Sequence, residues 1–525
     1  MALTQEGTGK LIPLTVVPKG RLLPADSSHA ALLGLIVLGV LLELFCIVAI
    51  VQPLSLGDHS YSIAVSDPLS VILGNNIEGV RGFVLSLAAA VLLYGSALLL
   101  SLKCRGQRAL GVILGFSVLF CLTLLLAYPA GSGDVFTNII NGRMRWLDGL
   151  NPMVSAPLAA QRDPLFAAVT WWQQEPSYYG PFWYLLLFLP TKVAGDRLLA
   201  NLLAFRALML PFVVGCAWLA ARLAAVRRPR LAPAAALFVG WSPLFLWESV
   251  VNGHNDAVMV FFAIFALERA LNRTWSAALP LLALSILTKY VTVILLPLLL
   301  LTVLIQEKRG ALRSLVLGSG LACGLATLSL APFWAGHATF AAVISKGANR
   351  FISSPATLIA TLLDGKQAVA YFTSPQAGVE VKAATLALFL VAYAVILARL
   401  WRGSDDLLTA AFYSLFFYLM LLSWWFWPWY VSWLVVIGGA LVGRRPALVA
   451  LVFSLSALCG YIILAWRNLL LSFETNLALP AAMVLVVFLP AFACWVAGLP
   501  RPFMARRMSE KEELVTIESR SSNGG

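Results

Sequence analysis

Residues 276–305 read SAALPLLALSILTKYVTVILLPLLLLTVLI, a run whose one charge is Lys289. The apolar residues are continuous and do not alternate. Such a run belongs in hydrocarbon, where each backbone donor and acceptor must be satisfied internally, by a helix or a closed barrel. Barrel strands alternate, so the run is helical. It is too long for one upright crossing of a core about 30 Å thick, and about right for two short helices meeting at Lys289-Tyr290.

The same character extends over the chain. Its 525 residues are 60% apolar and 12% charged, with a mean hydropathy of +0.87. That leaves too little polar surface for a dissolved protein of this size. The expected fold is all-α: a polytopic membrane protein with about fourteen transmembrane helices. They are placed at 31–51, 83–102, 109–128, 203–225, 231–248, 255–272, 275–288, 290–305, 312–334, 383–400, 407–422, 426–443, 447–465 and 479–498. The first run starts near Ala30 and lacks a small-residue cleavage site, so it reads as a span and not a cleavable signal. No repeat of fixed period is visible. The organisation reads as a tail (1–30), two added N-terminal helices (31–108), a module (109–334) with a long polar outer loop (129–202), a second outer loop (335–382), C-terminal helices (383–500) and a basic tail (501–525).

The net charge of +13 follows from topology, without nucleic acid. With both termini in the cytoplasm, the inner segments hold 24 of the 37 Lys and Arg residues against 10 acids, as the positive-inside rule requires. Arg227-Arg228-Pro229-Arg230 and Arg444-Arg445 are the clearest inner markers. Residues 181–195 (PFWYLLLFLPTKVAG) resemble a span but are short and contain Pro190 and Lys192. A crossing there would put Arg227–Arg230 outside, so the segment reads as an interfacial helix on the outer face, with Trp183 and Tyr184 at headgroup level. The seven cysteines sit mostly inside apolar runs with no CxxC pair, which implies neither disulfides nor zinc.

The chemistry-bearing residues fall at the outer boundary. Asp134 follows the third span, ahead of an amphipathic stretch with Arg143, Arg145 and Trp146. A carboxylate there can serve as a general base on a hydroxyl or simply mark a helix end. Asn252-Gly253-His254-Asn255-Asp256 packs polar groups into one turn. Capping by Gly253 or Asn255 is the plain reading, but it leaves His254 beside Asp256 unexplained. Lys289 either meets an anion, such as a lipid phosphate, or snorkels to the headgroups, and Arg350 offers a second outer cation. Aromatics at 171–172, 178–179 and 424–430 fit an interfacial belt or a surface on which sugar rings stack. Charge within the spans is sparse, with Glu43 the main example, and no Walker A or Gly-rich dinucleotide motif occurs. An activated substrate would therefore arrive carried on a lipid.

In order, Asp134-Val135, Gly142-Arg143, Gly149-Leu150-Asn151-Pro152, Tyr179-Gly180-Pro181, Gly253-His254-Asn255-Asp256-Ala257, Thr288-Lys289 and Pro428-Trp429-Tyr430 resemble the GT-C integral membrane glycosyltransferases. The nearer resemblance is to the bacterial polyprenyl-phosphate-mannose-dependent α-(1→6)-mannosyltransferases of actinobacterial lipomannan synthesis. It covers about 109–443. Gly133 stands where those enzymes carry arginine, and Met153 where they carry tyrosine. The resemblance implies a GT-C-like fold, a catalytic acid in the first outer loop (Asp134) and a second acidic motif (His254, Asn255, Asp256). It also implies a lipid-phosphate sugar donor, used with inversion on the outer face of the cell membrane, and a glycan or glycolipid acceptor. Lys289 and Arg350 become candidates for the donor phosphate, and Arg143, Tyr179, Trp429 and Tyr430 for acceptor or sugar contacts. No metal ligand set is expected, and a divalent metal is left open as a cofactor. The competing readings are a transporter or flippase for a lipid-linked glycan, and a non-catalytic membrane scaffold.

Overall fold

The computed structural model describes residues 28–59, 68–306, 311–346, 351–364, 375–471 and 477–497. Among these the chain is helical throughout, with isolated bridges and no named strand. Among the described residues, eight helices are long and apolar enough to cross a membrane, nine if the bent pair Pro229–Gly240 and Pro243–Val251 counts as one span. The other predicted spans fall on shorter helices, among them Asp256–Leu271, Trp275–Thr288, Tyr290–Gln306, Leu407–Leu422 and Pro428–Gly439. The apolar run 276–305 is thus two helical segments broken at Lys289, whose backbone is extended.

Local chemistry explains where these helices begin. The Asn76 side chain accepts from the Gly79 amide at 2.9 Å, capping Ile77–Ser101. Asp406 caps Leu407–Phe417 through the Thr409 amide. Its other oxygen also receives Arg227 at 2.7 Å and Arg444 at 2.6 Å. Burial opposes ionisation, yet the two guanidiniums hold this carboxyl below the usual range. Three segments that charge counting assigned to one face, 222–230, 399–406 and 444–446, therefore meet at one carboxylate.

The N-terminal pair His29–Val51 and Ile77–Ser101 packs against Gly106–Leu124. Leu54 and Leu69 exchange backbone hydrogen bonds with Tyr128 and Ala130, so the pair is stapled to the strip leading into Asp134. An apolar cavity of about 350 Å³ lies between this pair and Trp241–Val251. Phe45, Phe83, Phe120 and Trp247 are among its walls and Glu78 is its one charged neighbour, so it holds no reactive cluster.

Three sequence readings change here. Trp183 and Tyr184 do not face outward to lipid: both are fully buried within the protein. Their side of Pro181–Ala194 packs on Asp134–Trp146, where the Trp183 indole donates to Asn138 at 2.9 Å. Exposed Phe188, Leu189 and Val193 form the apolar outer side instead. Glu43, hydrogen-bonded to Thr123, is not the main charge within the spans: Glu248 and Arg206 are both fully buried. The Arg206 guanidinium is satisfied by the carbonyls of Leu125, Ala127, Leu202 and Val251. The third change concerns Asn255, which occupies an N-cap position but makes no side-chain capping bond.

Candidate active site

Several elements begin or end at one place. Asp134 opens helix Asp134–Trp146, and Asp256 opens helix Asp256–Leu271. Both carboxylates sit where the partial positive charge of a helix N-terminus favours an acid. Lys289 lies at the break after Trp275–Thr288, Tyr179 just before Pro181–Leu186, and Trp429 and Tyr430 in the tight turn Pro428–Val431.

The strongest contact joins two of these elements. The Lys289 ammonium meets both oxygens of Asp256, at 2.9 and 3.0 Å. The Trp433 indole donates to the same carboxylate at 2.5 Å. Rings of Tyr430, Trp433 and Tyr179 surround the ammonium at 4.6, 5.6 and 5.7 Å from their centroids, where their faces attract a cation. Tyr179-Gly180-Pro181 reaches this site because the Gly180 amide donates to the Thr288 carbonyl at 3.0 Å. A Cβ at Gly180 would stand 2.0 Å from the Leu287 carbonyl oxygen, and backbone cannot yield as a side-chain tip does. Gly180→Ala should therefore push the loop off the Lys289 break. Overpacking of this kind costs about 1–3 kcal/mol or more, read as a lowered melting temperature in detergent; an unchanged value would remove the role given to this glycine.

Asp134 stands opposite. The Trp172 indole donates to its Oδ1 at 3.2 Å from a left-handed backbone conformation, φ 66°. Burial pushes the Asp134 carboxyl above the usual range, against the opposing pull of the Trp172 bond, Lys289 and Tyr179. The side chain keeps 16% exposure and faces a narrow cleft lined by Asn138, Asn141, Trp172, Tyr178 and Tyr179. It is both perturbed and reachable.

His254 lies between acids. Its Nδ1 is 4.0 Å from Asp134 Oδ2, and its Nε2 is 3.6 Å from Glu248 Oε2. Burial first, and Lys289 second, hold the imidazole well below its ordinary range, so it is neutral. One face stacks on Trp429 at 4.0 Å, and Trp427 stacks on Trp429 in turn. The turn that presents His254 needs Gly253: its φ is +70°, and a Cβ would meet Arg206 and Val135 at 3.1 and 3.3 Å. Asn255 is buried, and both polar atoms of its amide lack a partner among the described residues. No group of three His, Cys, Asp or Glu side chains among the described residues is arranged to hold a metal. The cation facing Asp256 is the chain's own Lys289.

A profile described as "Alpha-(1->6)-mannopyranosyltransferase, N-terminal domain" matches residues 36–305, just over half of the chain. The chain belongs to this mannopyranosyltransferase family. Among its relatives, alpha-(1->6)-mannopyranosyltransferase A of Corynebacterium glutamicum is 27% identical over 176 residues, 33% of this chain and 35% of the relative. An alpha-(1->6)-mannopyranosyltransferase of Mycobacterium tuberculosis is 29% identical over 157 residues, 29% of this chain and 26% of the relative. The matched stretch thus spans about a third or less of the length of these relatives. The family match begins within His29–Val51, takes in all of Ile77–Ser101 and reaches past Lys289.

Of the residues the sequence singled out, the structure gathers Asp134, Tyr179, His254, Asp256, Lys289, Trp429 and Tyr430, with Asn255 in the same turn. Arg143 stands apart, nine positions and about 13 Å along its helix from Asp134. Its guanidinium is spent on Asp163, the Gly195 carbonyl and Asp196, at 2.7, 2.7 and 2.6 Å, and it braces the outer loop. Arg350 lies outside the described residues. Sequence reasoning missed Glu248, Tyr461 and Trp433. For Glu248 a signal existed: an acid within a spanning segment is a site hypothesis by default.

Proposed function

We propose that this protein transfers mannose from a polyprenyl-phosphate donor to a glycan or glycolipid acceptor on the outer face, inverting to an α linkage. Fourteen crossings with both termini inside complete the reading. The observation that carries it is the presence in one cluster of a reachable carboxylate, Asp134, and a cation, Lys289, held by Asp256, in a chain whose family is named for mannopyranosyl transfer.

Asp134 takes the proton from the acceptor hydroxyl as its oxygen attacks the anomeric carbon. The bond to the donor phosphate breaks, and the phosphate monoester leaves with the electron pair. Negative charge grows on that leaving oxygen, and a fixed cation in a site poor in water stabilises it more than bulk solvent would. Lys289 supplies the cation: its ammonium has three N–H groups, and Asp256 and the surrounding rings fix its position. Arg350 is its sequence-based companion. The amide of Asn255 can bind a sugar hydroxyl or a phosphate oxygen; the faces of Trp429 carry His254 and Trp427 and those of Tyr430 carry Lys289 and Trp433, so these two rings would meet a sugar by their edges. Arg143 acts only by shaping the loop.

The test is transfer by the purified protein in lipid, from radiolabelled polyprenyl-phosphate-mannose to a short α-mannoside. Labelled, extended product is expected. If this donor and a panel of other lipid-phosphate sugars all stay silent, and lipid-linked glycan instead moves between leaflets, the flippase reading replaces this one.

A further inference from the structure

One buried acid in the cluster has no part in the mechanism above. Glu248 lies in the wide helical turn Trp247–Val251 and is fully buried. It accepts from Tyr461 at 2.8 Å on one oxygen and from Asn252 at 2.9 Å on the other. No cation contacts it among the described residues: Lys289 is bound to Asp256, and Arg206 is satisfied by carbonyls. The neutral group against it is His254, whose Nε2 is buried without a hydrogen-bond partner and points at Glu248 Oε2 across 3.6 Å. The other imidazole nitrogen faces Asp134 across 4.0 Å. Each gap is within a small side-chain adjustment of a hydrogen bond, and catalytic hydrogen bonds in unliganded sites are often long and tighten once substrate binds.

The elements around this line are tied in place. The His254 amide donates to the Glu248 carbonyl at 3.0 Å, and the Asn252 side chain bridges Glu248 to the Gly131 amide on the approach to Asp134. Trp429 stacks on the imidazole with ring centroids 4.0 Å apart. The other titratable or charged groups of the neighbourhood include Asp256, Glu175, Lys289, Arg206, Tyr178, Tyr179, Tyr430 and Tyr461.

We propose that Glu248 is the proton reservoir of the transfer reaction, coupled to Asp134 through His254. This rests on the transferase reading above. The line runs in the form of the protein in which Asp134 and Glu248 are both carboxylates, Glu248 held by Tyr461 and Asn252, and His254 is the neutral tautomer with its proton on Nε2. The acceptor proton passes from the hydroxyl to Asp134. Asp134 Oδ2 then gives a proton to Nδ1 as Nε2 gives one to Glu248. The imidazole is left neutral with its tautomer reversed, Asp134 is again a carboxylate, and Glu248 is a carboxylic acid. Once the sugar bond has formed, the proton returns along the same line to the departing phosphate monoester or to water. The reservoir keeps Asp134 unprotonated while the leaving group's charge is still held in the site. In this scheme Glu248 touches neither substrate; it acts through His254.

The test has an arm that needs no turnover. In reconstituted protein, the infrared band of a buried carboxylic acid is titrated with pH, and Glu248 is assigned as the band lost in Glu248→Gln. Coupling predicts that its midpoint moves in both His254→Gln and Asp134→Asn. A midpoint unmoved by His254→Gln overturns the proposal. The second arm is kinetic. Glu248→Gln keeps the volume and should lower kcat about tenfold to a hundredfold, leave KM for the donor unchanged and shift the acid limb of the pH profile; Glu248→Asp should recover part of the rate. A purely structural Glu248 would move KM and melting temperature with the rate and leave the pH profile alone, and that result sinks the idea. If the infrared midpoints are coupled but the wild type is silent with every donor, the transferase reading fails and the coupling result still stands.

Discussion

Asp134→Asn abolishes transfer while the protein folds as well as the wild type. The replacement keeps the shape of the side chain and an oxygen for the Trp172 indole, which donates at 3.2 Å. It removes the only feature the reaction uses, a carboxylate able to take a proton. General-base catalysis contributes about 10²–10⁴ in rate, so kcat should fall by at least the lower figure, with donor affinity little changed. The folding half follows from the sign of the pKa shift. Burial raises the Asp134 carboxyl, so ionising it is harder in the folded chain than in the unfolded one. A raised carboxyl lends stability that is fully present below its unfolded value and is lost as pH rises through the folded one. At neutral pH the wild type therefore carries the cost of a buried charge, which asparagine does not. A melting temperature in detergent at or above the wild-type value is expected, and a variant that melts early would leave lost activity without mechanistic meaning. The same shift sets the pH profile of the wild type. A base must be unprotonated, so transfer should fall as pH drops through a value above the ordinary carboxylate range. A limb at an unperturbed carboxylate value would separate the base from Asp134.

Much of this architecture was legible because lipid imposes simple rules. Continuous apolar runs must be helices, and positive charge marks one face. The meeting of Arg227, Asp406 and Arg444 joins three segments that charge counting alone had put together. The motifs at 134, 179, 254–256, 289 and 429–430 converge because each breaks or starts a helix, and helix ends are where polar groups collect. Three-dimensional direction was not legible. Trp183 and Tyr184 look like belt residues in a linear string, but periodicity on so short a helix does not say which side meets protein. Arg143 sits in a motif shared with the resembling family, yet its partners Asp163 and Asp196 lie 20 and 53 positions away, and such pairs cannot be read from spacing. Glu248 was visible as an acid in an apolar run. Its meaning depends on Asn252, His254 and the distant Tyr461, which only the fold assembles.

Lys289→Met should be the most damaging substitution for folding and transfer together. Methionine matches the apolar stem of lysine but leaves Asp256 buried with the Trp433 indole as its remaining donor. Breaking a buried pair on one side costs about 3–5 kcal/mol, because the surviving charge stays desolvated and uncompensated. That is a large part of a typical folding free energy of about 5–15 kcal/mol, so low yield and a strongly lowered melting temperature are expected. Loss of transfer by this variant alone would therefore say nothing about chemistry. The double variant Lys289→Met with Asp256→Asn separates the two effects. Removing both charges restores neutrality, and replacing both members of such a pair is often close to neutral for stability. If Lys289 holds only the fold, the double variant regains transfer along with its melting temperature. If its ammonium also stabilises the departing phosphate, the double variant folds and stays inactive, with weakened donor binding, because among the described residues of the cluster the other cation, Arg206, is already bound by carbonyls. The second outcome is the expected one, since Asp256 and the rings of Tyr179, Tyr430 and Trp433 hold a single ammonium in place and leave 13% of the side chain open toward a ligand.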